Sequence, residues 1–367
     1  MPTVAEVMRR YGEAYLERFG ASMPVAHKKV LRAIAACRTG ELGLVLYRCD
    51  CCGQIQAMGR SCGDRHCPAC QRDKAEAWLQ MQTDRLLPCP YFLVTFTLPA
   101  ELRDLARGHQ RVVYSALFEA SSKALRLLAA DPKYIGSDRL GFFGVLHTWG
   151  RTLVYHPHVH YVIPGGGLSN SGDRWLSSRA DFLVPAKALS IVFRAKFRDI
   201  LRREGLLKLV DPTVWRRDWV VHSQAAGDGR QSLRYLAPYV FRVAIGDRRI
   251  ISCDDGNVTF TYRRVGSNRP RKMTLDAMEF LRRFLQHVLP AGFQKVRHYG
   301  FLSSGSRTPL EAVRWLITLH NGGVFALLAM LTAPPAEPPA PRCSTCGGSM
   351  SVLGFVPAPE PAVFDSS

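Results

Sequence analysis

The stretch Tyr155-His156-Pro157-His158-Val159-His160-Tyr161-Val162-Ile163-Pro164, closed by Gly165-Gly166-Gly167, constrains this chain more than any other. On a β-strand successive side chains point to opposite faces, so His158 and His160 share one face while Val159, Tyr161 and Ile163 share the other. One face can hold a metal and the other can pack. Two neighbouring imidazoles on a rigid strand suit divalent-metal ligation, provided each is neutral and finds a partner for its second ring nitrogen. A single histidine there would read as a polar strand edge. The pair, bracketed by His156 and a triple-glycine turn, favours ligation.

The neighbouring segments predict strands that could flank it. Residues 91–98 form a β-rich run ended by Pro99, fit for a central strand. Residues 141–150 form another, and a hairpin from it into the His strand brings its end opposite His158 and His160. His147 is therefore a candidate third ligand, against the alternative of a satisfied core histidine. His222, in the short strand 219–223, is a second candidate for that position. Helical spacing is expected in residues 1–40, 72–87, 102–130, 185–207 and 274–289, and a β-hairpin over 248–262 around Asp254-Asp255-Gly256-Asn257.

Cysteines supply the second constraint. Cys49 and Cys52 form one Cys-x-x-Cys and Cys67 and Cys70 another, separated by fourteen residues. That spacing predicts one structural zinc site with four thiolates and no open position. Cys51, Cys62 and His66 are near neighbours able to substitute for a ligand or hydrogen-bond one. A pair of redox motifs would need a βαβ context that is missing here. Cys343 and Cys346 form a third Cys-x-x-Cys with no visible second pair, readable as a free dithiol or as metal ligands.

Length and charge set the scale. At 367 residues the chain exceeds a usual single domain. Its 49 Lys+Arg against 30 Asp+Glu give a formal charge of +19 and a pI near 9.8. That excess favours a polyanion as partner, nucleic acid being the commonest large one. A membrane is disfavoured, because no apolar run approaches the roughly 20 residues needed to span it, and residues 1–19 lack a signal-peptide core. The cytoplasm is the expected compartment.

Downstream lies Tyr235-Leu236-Ala237-Pro238-Tyr239. On a helix, Tyr235 and Tyr239 four apart share a face, an arrangement that by itself suits core packing. Pro238 either kinks that helix or starts it, leaving Tyr235 on the entry loop. A phenol of pKa about 10 is a weak nucleophile unless a metal polarises its target, a phosphodiester for instance.

Taken together, His158-Val159-His160 resembles the paired-histidine motif of the HUH endonuclease superfamily. More closely, the chain resembles the rolling-circle transposases of the insertion-sequence-91 family and their common-region relatives. The resemblance runs through Arg65-His66-Cys67-Pro68-Ala69-Cys70-Gln71, Phe96-Thr97-Leu98-Pro99, His147-Thr148-Trp149-Gly150, His156–His160, Pro164–Gly167 and Tyr235–Tyr239. It implies an α+β fold: N-terminal helices and a four-cysteine zinc module, then an antiparallel sheet flanked by helices, with the His strand central and the tyrosine helix across it. It implies Mg²⁺ or Mn²⁺ on His158 and His160, structural Zn²⁺, and Tyr235 and Tyr239 as nucleophiles used in turn. Pro238 departs from the pattern, and relatives can work with one tyrosine. If one acts, Tyr239 is the expected one, since it stays helical however Pro238 is accommodated. The implied activity is nicking and rejoining of single-stranded DNA at hairpin-forming element ends, at the bacterial nucleoid. A plasmid replication initiator or relaxase would share that chemistry, and a zinc-dependent nucleic-acid-binding regulator would need none of it.

The expected domains are a helical and zinc-binding unit over 1–88, a nuclease domain over 89–300, a helical segment over 301–332, and a Pro-rich tail over 333–367 carrying the last Cys-x-x-Cys.

Overall fold

The computed structural model describes residues 2–241, 244–264, 267, 269–322 and 341–359, with the side chains of residues 72, 73, 238, 239 and 241 excepted. In chain order the elements are α1 (Val4–Phe19), α2 (Val25–Ala35), β1 (Leu44–Cys49), β2 (Ile55–Gly59) and α3 (Arg72–Asp84). Next come β3 (Tyr91–Thr97), α4 (Arg103–Gly108), α5 (Gln110–Ala129), β4 (Phe142–Trp149), β5 (Tyr155–Pro164), β6 (Gly166–Leu168), β7 (Trp175–Ser177), α6 (Ala186–Arg203), β8 (Val221–Ala225) and α7 (Arg230–Phe241). The rest are β9 (Ile250–Asp254), β10 (Asn257–Arg263), β11 (Pro270–Asp276), α8 (Ala277–Leu285), β12 (Val296–Tyr299), α9 (Leu310–His320) and β13 (Met350–Val356). The fold is α+β with antiparallel sheets and flanking helices.

Two compact units form, and neither is continuous in sequence. One combines the chain through Lys74 with Phe241–Val288 and the C-terminal residues, and the other holds Ala75–Val240 and the segment from Leu289. These units divide the chain elsewhere than at the expected 88 and 300. The reason is packing: α1 lies on α8, the Val4 N–H donates to Asp247 at 2.9 Å, and the Tyr11 hydroxyl accepts from the Gly256 N–H at 3.2 Å. These contacts gather residues 244–264 and 269–288 with the N-terminal helices in one unit.

Unit two is built on a five-stranded sheet in the order β12-β4-β5-β3-β8, with the His strand central. Its packing face carries Val159, Tyr161 and Ile163 with Phe96 and Phe142, all buried under α5 and α6. Tyr161 anchors this core. Its ring meets Phe96, Phe118 and Phe142 edge-on at 5.9, 6.5 and 5.3 Å, and its hydroxyl pairs with Ser121 Oγ at 2.8 Å. Gly144 stands opposite Tyr161 on β4, and a Cβ there would lie 2.4 Å from the Tyr161 ring. The strand needs glycine at that point because the Tyr161 ring occupies the space a Cβ would fill.

The expected helix over 102–130 divides into α4 and α5 at His109, whose ψ of 45° breaks the helical path. Residues 274–276, expected to open a helix, close β11 instead, and Asp276 caps α8 by accepting from the Met278 N–H at 2.9 Å. The hairpin β9–β10 turns at Asp255 and Gly256, with φ of 48° and 74°, the left-handed pair that a two-residue type I′ turn requires. Among the described residues no helix is long and apolar enough to cross a membrane. The apolar run at 324–331 and the Pro-rich stretch at 333–340 lie outside the described residues.

Candidate metal centre, nucleophile and cysteine clusters

Strand pairing assembles the histidines. His147 on β4 stands in register with His158 on β5, and Val145 with His160, so the three imidazoles share the sheet face opposite Tyr161. One ring nitrogen from each lies within 4.8 Å of the others. His147 meets His160 and His158 edge-on, with centroids at 4.5 and 5.2 Å, and Trp149 stacks on His147 at 5.2 Å. His222 takes no part: it is exposed on β8, beyond β3.

Electrostatics hold these rings neutral. Burial pushes His147 and His160 well below the usual histidine range, and repulsion from neighbouring imidazoles adds to it. Burial brings His158 down to about 4, opposed in part by its hydrogen bond to the His156 carbonyl. A neutral imidazole offers one lone pair, and the partner of the other nitrogen decides which one. His158 Nδ1 lies 2.6 Å from the His156 carbonyl oxygen, which can only accept, so Nδ1 carries the proton and Nε2 is left as the donor atom for an ion. His160 Nδ1 lies 2.7 Å from Thr95 Oγ1 on β3, the residue in register with it. This threonine escaped the sequence reading. Its only signal was a place in a strand whose pairing the sequence did not specify.

Helix α7 supplies the phenol. It runs unbroken from Arg230 to Phe241 through Pro238, so neither a start at Pro238 nor a loop position for Tyr235 applies. The Tyr235 ring centroid lies 6.0 Å from that of His160, nearly perpendicular at 84°, and the side chain is 48% exposed. It thus stands beside the histidine cluster and is open to solvent. Tyr239 is on the same helix, and its side chain lies outside the described residues. With both tyrosines helical, helicity gives no ground for preferring Tyr239.

The cysteines regroup. Cys49, Cys52, Cys67 and Cys70 do not form one site. Cys67 and Cys70 join Cys37 and Cys62, whereas Cys49 and Cys52 gather with Cys343 and Cys346. The short loop between the two motifs had suggested a shared ion, but β1 and β2 pair as a hairpin and carry the halves to different neighbours. In the first cluster the sulfur separations are 3.4 Å for Cys37–Cys70, 3.6 Å for Cys62–Cys70 and 3.8 Å for Cys37–Cys67. A tetrahedron with Zn–S bonds of about 2.3 Å has edges of about 3.8 Å, so these thiols fit zinc. His66 is not among them. Its Nδ1 pairs with Asp64 at 2.9 Å. Cys37 was missed because it stands alone in the sequence, although Cys62, Cys67 and Cys70 make a triplet that lacks a fourth ligand.

Residues 141–309 match a family described as putative transposase, and residues 7–98 match the transposase zinc-binding domain. A putative transposase of Sinorhizobium fredii, y4qJ, is 39% identical over 362 residues, spanning 93% of this chain and 88% of that protein. The chain belongs to the insertion-sequence-91 family of transposases.

A second relative, the transposase for insertion sequence element IS801 from Pseudomonas savastanoi pv. phaseolicola, is 29% identical over 286 residues, 73% of this chain and 68% of that one. A solved metal-bound conjugative relaxase, TrwC with its oriT DNA, aligns over 32% of this chain and 44% of its own at 20% identity, with a TM-score of 0.25, too low to compare architectures. The matched spans of the transposase divide its sites, except that Cys49 and Cys52 fall within 7–98 while the other two cysteines of their cluster do not. The span 141–309 holds the three histidines and Tyr235, and 7–98 holds Cys37, Cys62, Cys67 and Cys70, while Cys343 and Cys346 lie in neither.

Proposed function

We propose that this transposase nicks and rejoins single-stranded DNA through a 5′-phosphotyrosine, moving its element by a rolling-circle-like route. Tyr235 and Tyr239 are the two nucleophiles, used in turn. The observation that carries this reading is the 6.0 Å approach of the Tyr235 ring to His160, beside three neutral imidazoles whose ring nitrogens converge. His147, His158 and His160 would hold Mg²⁺ or Mn²⁺. A bound divalent ion would draw charge from a non-bridging oxygen of the scissile phosphate.

The chain's own groups do the rest. Tyr235 Oη forms a bond to phosphorus as the bond from phosphorus to the 3′ oxygen breaks. The phenol gives up its proton to solvent, and the departing 3′ oxygen gains one. The phosphoester energy is kept in the tyrosyl bond, so rejoining needs no ATP. His158 and His160 remain neutral throughout, the first held in one tautomer by the His156 carbonyl and the second oriented by the Thr95 hydroxyl. The positive charge of the chain supports DNA as the polyanion. Cys37, Cys62, Cys67 and Cys70 would hold a structural zinc with no open position for chemistry.

The test incubates the full chain with Mn²⁺ and single-stranded hairpin oligonucleotides carrying the element's ends. The expected product is a covalent adduct that survives denaturation, maps to Tyr235 or Tyr239 by peptide mass, and disappears in the Tyr235→Phe/Tyr239→Phe double variant. Binding with no adduct would leave a zinc-bearing DNA binder and overturn the proposal. So would an adduct that persists in the double variant.

A further inference from the structure

The third Cys-x-x-Cys, which lies outside both matched families, finds its partners across almost the whole chain. Cys49 Sγ lies 3.4 Å from Cys346 Sγ, and Cys52 Sγ lies 3.7 Å from Cys343 Sγ. All four sulfurs fall within 4.8 Å of one another. These separations again match the edge of about 3.8 Å expected for a zinc tetrathiolate.

The two halves are copies of one turn. In each, a glycine follows the second cysteine in the left-handed region, Gly53 at φ 71° and Gly347 at φ 72°. In each, that glycine's N–H donates to the carbonyl of the first cysteine, at 3.0 Å for Gly53 to Cys49 and 2.9 Å for Gly347 to Cys343. Such turns aim both thiols and neighbouring N–H groups at a common point, and the Cys52 N–H already points to Cys49 Sγ at 3.5 Å. The turns are locked together by the Asp50 N–H on the Ser349 carbonyl at 3.0 Å and by Thr345 Oγ1 on Gln54 Oε1 at 2.7 Å. Gly348 closes the cradle: a Cβ there would meet Cys51 Cβ at 2.9 Å and the sulfurs of Cys49 and Cys346 at 3.3 Å.

Packing alone is a poor explanation for this docking. Strand β13 pairs with β1 from Cys49↔Met350 to Leu44↔Val356, but among the described residues the core beneath it is Cys49, Cys343 and Met350 with Tyr47 against them. Val352, Leu353 and Phe355 of the strand are 54%, 50% and 69% exposed. A strand with so little buried apolar surface needs another source of stability, and in small modules a metal commonly provides it.

We infer that Cys49, Cys52, Cys343 and Cys346 form a second structural zinc site, which clasps the C-terminal strand to the N-terminal unit as a zinc ribbon. The transposase then carries two structural zinc ions, and its last strand completes the domain that its first hundred residues begin. This second ion is independent of the nicking chemistry.

The test measures zinc per chain by mass spectrometry on the reduced full-length protein. Cys343→Ser/Cys346→Ser is expected to lose one equivalent relative to wild type, and Cys67→Ser/Cys70→Ser to lose a different one. The wild-type protein provides a readout that does not depend on a variant folding. Cys343 and Cys346 should resist iodoacetamide until a chelator is added, and amide exchange over 350–356 should then accelerate. The inference is overturned if the serine double variant keeps the full zinc content, if both thiols alkylate in the untreated protein, or if they are recovered as disulfides to Cys52 and Cys49.

Discussion

Thr95 and His160 face each other across β3 and β5, with Oγ1 2.7 Å from Nδ1. If Nδ1 carries the ring proton, the hydroxyl accepts it and Nε2 is left to the ion. The threonine is therefore a positioning residue that fixes the ring angle. Thr95→Val keeps the shape and removes the acceptor, so Mn²⁺ affinity should fall by about 10- to 100-fold while Thr95→Ser restores most of it. Isothermal titration with Mn²⁺ checks this. Equal affinity in wild type and Thr95→Val would show that the contact does not orient the ligand.

Gly144 is where the sheet makes room for Tyr161. A methyl at Gly144 would sit 2.4 Å from a ring that is itself wedged among Phe96, Phe118 and Phe142. Gly144→Ala should cost about 1–3 kcal/mol, the range for overpacking a filled core. Thermal denaturation followed by circular dichroism measures it. A melting temperature equal to wild type would mean the ring can retreat, contrary to its enclosure.

Glu119 joins α5 to α6 by accepting from Arg203 at 3.1 and 3.2 Å, and it also accepts from Lys123 at 2.8 Å. Hydrogen bonds from Arg203, then Lys123, hold its carboxyl down to about 2, against 4.5 for the free group. Because the folded value is depressed, the contribution is fully present above pH about 4.5 and is lost as pH falls toward 2. The site is near the surface, so its size is at most about 1 kcal/mol. Urea midpoints of wild type and Glu119→Gln should differ at pH 7 and converge below pH about 2. A gap that persists at low pH would assign the effect to something other than this charge.

Cys37 ties the end of α2 to the Cys62–Cys70 loop, with the Cys62 N–H directed at its sulfur at 3.5 Å, and would be the fourth ligand of a zinc there. Cys37→Ser should therefore release a zinc although it breaks neither Cys-x-x-Cys. The stability loss in its unit should be at least about 3 kcal/mol, a fraction of the about 10–16 kcal/mol that structural zinc gives small fingers. Zinc content and hydrogen exchange over 37–70 report it together. Retention of full zinc content by Cys37→Ser would remove Cys37 from the cluster.

Local rules made much of this transposase legible. The alternation on residues 155–164 is set by the geometry of one strand, so it separates His158 and His160 from the core-facing Tyr161 before any partner strand is known. The same holds for the Asp255-Gly256 turn, where the required left-handed backbone is a property of two residues. Helix α7 was harder. Pro238 removes one hydrogen bond, a local penalty that argued for a break, yet buried Leu233, Leu236 and Ala237 hold the helix on its unit through that position.

What the sequence by itself determined is therefore each half-site: a strand with two imidazoles on one face, and three turns each presenting two thiols. Which halves share an ion was decided only by the tertiary structure. A Cys-x-x-Cys turn fixes two sulfurs a few ångströms apart and says nothing of the other two. Those come from wherever the chain's path returns, 25 residues earlier at Cys37 for Cys62, and 291 residues later at Cys343 for Cys52. The same reasoning covers Thr95, which reaches His160 only because β3 and β5 pair in one register, and Tyr235, which reaches it because α7 is helical through Pro238.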